Sequence, residues 1–175
     1  MTSPAANVVR QASAAATALR LMAEASLPHA LADVGKQRSE LLVSSVALEL
    51  LVFGLHLSDR LAFQRLGDAR RCEFMSALLP NVEAQLDSAL RDGFRGFYAQ
   101  RVFLYAKCEN LFPSESNGDV LKDTLFWEFG KVLSRTYGNS NPVGITMLSN
   151  LGATIYKSLL EAYGATHVLA MPSDA

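Results

Sequence analysis

Residues 41–57 (LLVSSVALELLVFGLHL) are almost uniformly apolar, and their only ionisable side chains are Glu49 and His56. A helix that is hydrophobic all round sits either in the middle of a bundle or in a membrane. Seventeen positions are at the lower edge of what spans a bilayer, and a carboxylate at the bilayer centre costs about 3 kcal/mol. The stretch therefore reads as the core of a long buried helix running from about residue 36 to 66 and stopping at Gly67.

Helical spacing dominates the remainder of the chain. Leu and Ala, both good helix formers, supply 27 and 24 of the 175 residues. No run of alternating β-branched residues bounded by turns makes a convincing strand. The expected fold is an all-α, single-domain bundle of five to seven helices around the central one, spanning residues 1–175 and fraying at 1–3 and 168–175.

The first helix is expected to start at Ser3-Pro4 and run to about Ala25, with a stripe of Val8, Val9, Ala12, Ala15, Ala16, Leu19 and Met22. Pro28 and Gly35 interrupt it. Asp68 caps a helix in which Phe74, Leu78, Val82, Leu86 and Leu90 recur through Pro80, and Asp92-Gly93 reads as the next break. Phe94 to about Leu111 continues the helical pattern, and residues 112–118 (FPSESNG) read as a loop. Asp119 begins a helix that ends at Gly138, and Asn141-Pro142 begins the last, closed by Gly164. Gly144, Gly152 and Ala153 leave a bare strip where another helix can approach.

At 100° per residue, Glu49, Phe53, His56, Arg60 and Phe63 fall along one line of the apolar helix. Glu49 and His56 are roughly 10 Å apart along the axis, too far to bond each other. One reading is a ligand pocket lined by Glu49, His56 and Arg60. The other gives Glu49 an Arg or Tyr partner across the bundle and leaves His56 to Asp59, because an unpaired buried polar group costs about 1–3 kcal/mol. A second group, Arg65, Arg70 and Arg71, flanks the Gly67 turn together with Asp59 and Asp68. Cations at a helix start oppose its dipole, which suggests an anionic or protein partner, although a solvated corner with pairing to the nearby Asp residues is the more ordinary account.

Residues 91–105 (RDGFRGFYAQRVFLY) mix arginines with aromatics, as single-stranded nucleic-acid binders do. The rings fall at helix-core spacing, however, and 16 basic against 17 acidic side chains supply no long-range attraction to a polyanion. A nucleic-acid partner is accordingly not expected. No His follows a Glu by three residues, so the di-metal carboxylate pattern is missing, and no phosphate loop, nucleophile elbow or Cys/His pairing appears. His56 as a lone haem ligand is a weak alternative. No catalytic residue, metal or cofactor is assigned.

Cys72 and Cys108 are too few for a disulfide framework and read as reduced core residues of a cytosolic protein. The N-terminus lacks the pattern of a secretory signal, while its Arg10, Arg20 and absence of acids before Glu24 also suit a mitochondrial transit peptide. The 11 Arg against 5 Lys suggest a GC-rich bacterial source. The functional expectation is a non-catalytic interaction, regulatory or immunity-type module that binds a protein partner or itself. The alternative is a small-molecule or cofactor-binding bundle with its pocket at Glu49 and His56.

Overall fold

The computed structural model describes residues 4–32, 39–108, 124–138 and 141–169. They form five helices, α1 (Pro4–Ala30), α2 (Glu40–Ala84), α3 (Ser88–Ala106), α4 (Leu125–Thr136) and α5 (Pro142–Ala165). No strand occurs among the described residues. The bundle is organised around α2, which touches each of the other four helices.

Ser39 caps α2, its hydroxyl accepting from the Leu42 amide, so the long helix begins at Glu40, about four residues later than the pattern suggested. It does break step at Gly67, where φ 74° and ψ 174° kink the axis. It then resumes and carries Pro80 to Ala84. Part of α2 is long and apolar enough to cross a membrane, but 61% of that window is buried inside the molecule. The core residues Val46, Leu50, Phe53, Leu57, Leu61, Phe74 and Leu78 come from α2 alone.

The break expected at Asp92-Gly93 lies instead between Gln85 and Asp87. The Asp87 carboxylate accepts from the Leu90 amide and starts α3. The Arg91 guanidinium donates to the carbonyls of Glu83, Ala84 and Leu86, which satisfies the end of α2. A capping acid and a cation over spent carbonyls locate a helix junction more firmly than an Asp-Gly pair, because they satisfy groups that are otherwise orphaned. Gly93 and Gly96 then sit inside α3 and face open space.

Helix α1 likewise runs on through Pro28 to Ala30. Of its stripe, Ala12, Ala15, Ala16, Leu19 and Met22 are buried, while Val9 is exposed. Ser3, Gly35, the loop 112–118 and Asp119 lie outside the described residues, and Thr124 is the N-cap of α4, accepting from the Trp127 amide. Asn141 caps α5 as expected, its side chain accepting from the Gly144 amide at 2.7 Å. Val168 and Leu169, placed in the frayed tail by sequence, are buried; apolar side chains hold the chain against the bundle to that point. Cys72 is exposed rather than in the core, whereas Cys108 is buried.

Three glycines let helices touch. A Cβ on Gly54 of α2 would sit 2.6 Å from the Met22 methyl and 2.7 Å from Leu19, so α1 lies directly on it. One on Gly130 would fall 2.5 Å from the Ile145 carbonyl oxygen, which marks the contact of α4 with α5. Gly152, from the bare strip, admits the Phe129 ring. Tyr137 adds a polar tie by donating to the Ala30 carbonyl at 2.7 Å.

Candidate functional site

Helix α3 lies along the polar line of α2. Glu49 is 0% exposed. Its Oε2 accepts from Arg101 Nε at 2.7 Å and its Oε1 from the Tyr105 hydroxyl at 2.5 Å. Residues 101 and 105 are one turn apart on α3, so one face of that helix supplies both donors. Arg101 also lies 4.6 Å over the Phe97 ring, which holds the guanidinium in place.

Burial pushes the Glu49 carboxyl above the ordinary carboxylate range, while the Tyr105 hydrogen bond and the Arg101 charge pull it down. The Tyr105 phenol is driven well above its usual value, by burial first and then by the Glu49 charge. Its ring packs against Phe53 and His56, with centroids 5.6 Å away in each case. Tyr105 therefore touches Glu49, Phe53 and His56, three successive members of the polar line.

His56 is only 6% exposed. Arg60 Nε donates to its Nε2 at 3.0 Å, so the ring is neutral with its proton on Nδ1. Arg60, not Asp59, is thus its hydrogen-bond partner. Burial, and next the adjacent Arg60 charge, lower the His56 imidazole to about 4. The same guanidinium donates through Nη2 to the backbone carbonyls of Tyr105, at 3.1 Å, and Cys108. Arg60 consequently covers the carbonyl end of α3, where the helix dipole favours a cation.

The three residues proposed to line a pocket are therefore gathered on one interface, but each faces α3. Two open clefts lie elsewhere. A cleft of about 170 Å³ between α1, α2 and the α2–α3 corner is lined by Arg20, Glu24, Leu27, Leu48, Leu86 and Leu90 among others. A cleft of about 530 Å³ between α1 and α5 is lined by Ala14, Thr17, Ala18, Leu21, Ala162 and Thr166 among others, and carries no charged side chain. Neither cleft includes Glu49, His56 or Arg60.

At the Gly67 kink, Arg71 reaches back to both oxygens of Asp59, at 2.7 and 3.2 Å, and to Asp68 at 2.7 Å. Both carboxylates strengthen the hold of Arg71 on its proton. Arg65 and Arg70 are exposed on the same corner. The arginines between the aromatics of α3 are also engaged: Arg95 pairs with Glu83 and Arg101 with Glu49. Phe94 and Tyr105 are buried there, whereas Phe103 is 76% exposed.

Sequence reasoning named Glu49 but not the two residues that complete it. The available signal was the pair Arg101 and Tyr105 at helical spacing in a segment already noted for its arginines and aromatics. Among the described residues, no three His, Cys, Asp or Glu side chains are grouped to hold a metal ion. Compared with known proteins, the chain matches no family model, no curated protein and no solved structure.

Proposed function

We propose that the protein is a non-catalytic helical interaction module of the bacterial cytosol, which acts through its outer face and associates with itself. The observation that carries this reading is the uncharged cleft between α1 and α5, open to solvent and flanked by Leu21, which is 52% exposed. A side chain of this kind beside a surface of Ala and Thr can seat in the equivalent cleft of a second copy, as a two-fold contact requires. The polar residues of α2 add support, since Glu49 and Arg60 hydrogen-bond to α3, and His56 accepts from Arg60 while its ring packs on Tyr105.

Light scattering coupled to gel filtration tests the reading across a wide concentration range. The expected result is a dimer or larger species that Leu21→Glu converts to monomer while the helical circular dichroism stays unchanged. A strict monomer at all concentrations overturns it, as does an oligomer indifferent to Leu21→Glu.

A further inference from the structure

Arg60 hydrogen-bonds both to His56 and to the end of α3, and it does so with different nitrogens. Its Nε points at the imidazole, and its Nη2 at the carbonyls of Tyr105 and Cys108. The orientation of the guanidinium plane that serves the carbonyls is thus set by an acceptor lone pair on His56 Nε2. That lone pair exists only while the ring is neutral.

We propose that the His56–Arg60 pair is an acid-sensitive latch on the C-terminal end of α3. Protonation of Nε2 removes the acceptor for Arg60 Nε and sets two cations side by side in a largely enclosed position. The two are relieved when the guanidinium swings away, and it leaves the Tyr105 and Cys108 carbonyls as it goes. The end of α3 then loosens from α2, at the point where the chain passes into residues 109–123.

Among the described residues, the charged and titratable groups around the ring are Asp59, Arg60 and Arg71 of α2 and Tyr105 of α3. Cys108 shares Arg60, and Glu128 and Lys131 of α4 act on Cys108. Asp59 favours the protonated ring, but it is itself engaged by Arg71, and burial with the two arginines outweighs it. The folded protein consequently resists protonation of His56 until the pH is near 4, whereas a ring released from the interface takes up its proton near 6.5. Acid in that window favours the released state. Glu49 acts in the opposite sense, because its raised affinity for a proton is a property of the closed interface.

Hydrogen exchange of the full chain at pH 7 and pH 5, expressed as protection relative to intrinsic rates, tests the latch. Protection over residues 101–106 is expected to fall on the order of tenfold more than protection in α5. In His56→Gln, whose amide oxygen accepts from Arg60 without titrating, that extra loss disappears. An equal loss in all helices, or an unchanged loss in His56→Gln, overturns the proposal. The imidazole resonances of the unmodified protein supply a second measurement that needs no variant. His56 must titrate far below 6.5, and titration at or above that value overturns the latch.

Discussion

The hydroxyl of Tyr105 and the carboxylate of Glu49 meet at 2.5 Å across the α2–α3 interface, with both residues fully enclosed. This contact turns the one acid of the apolar stretch 41–57 into the anchor of the neighbouring helix. The energetics follow from what each partner would leave behind. A buried carboxylate stripped of a donor keeps its desolvation penalty and loses its compensation.

Tyr105→Phe keeps the ring packing on Phe53 and removes only the donor, so it is expected to destabilise the fold by about 1–3 kcal/mol. Glu49→Ala removes the centre and leaves Arg101 and Tyr105 facing a void, with an expected cost of about 3–5 kcal/mol. Urea denaturation of the two variants checks the order. A neutral Tyr105→Phe would show that the hydrogen bond contributes nothing net.

Acid should weaken the fold through His56. Its folded pKa is lowered from 6.5 to about 4, so its contribution is present in full above pH 6.5 and is lost as pH falls through that window to about 4. The full shift corresponds to about 3 kcal/mol. Glu49, shifted upward, offsets part of this loss. The difference in unfolding free energy between the native chain and His56→Gln, measured from pH 7 to pH 4, should shrink steadily; a constant difference would contradict the assignment.

Glycine positions in different surroundings should respond to Ala in opposite directions. At Gly130 the added methyl meets the Ile145 carbonyl and Ser149, and backbone cannot yield cheaply, so a loss of about 1–3 kcal/mol is expected. At Gly96, which lies inside α3 and faces open space, the same change should gain about 0.5–1 kcal/mol through lower backbone entropy in the unfolded chain. Thermal melts of the two variants should move in opposite directions.

The Gly67 kink rests on a conformation, φ 74° with ψ 174°, that only glycine adopts readily. Gly67→Ala is expected to cost about 1–3 kcal/mol even though no atom lies within 4 Å of the added carbon. Arg71→Met, which removes the pairs to Asp59 and Asp68 on the partly exposed corner, should cost about 1 kcal/mol or less and lose that effect in high salt. A Gly67→Ala melt equal to wild type would mean that the kink relaxes into straight helix.

Much of the architecture was legible from residue order alone. An apolar run with no polar side declared a central helix, Gly67 marked where it breaks, though as an expected stop rather than the kink that is found, and the Asn141-Pro142 pair marked the start of α5, because capping and periodicity are local properties. The α2–α3 junction was misread because Arg91 acts on carbonyls five to eight residues earlier in the chain. No local propensity records such a reach.

The sequence by itself determined that Glu49 and His56 would need partners, since a charge or imidazole in an apolar helix cannot be left alone. Only the tertiary structure decided which partners. Arg101 and Tyr105 lie 52 and 56 positions from Glu49. Arg60 turns to His56 and to the end of α3 instead of to solvent because the helices pack so that unsatisfied carbonyls arrive there. Burial makes each polar group's requirement strict; packing geometry, which no residue carries alone, chooses what meets it.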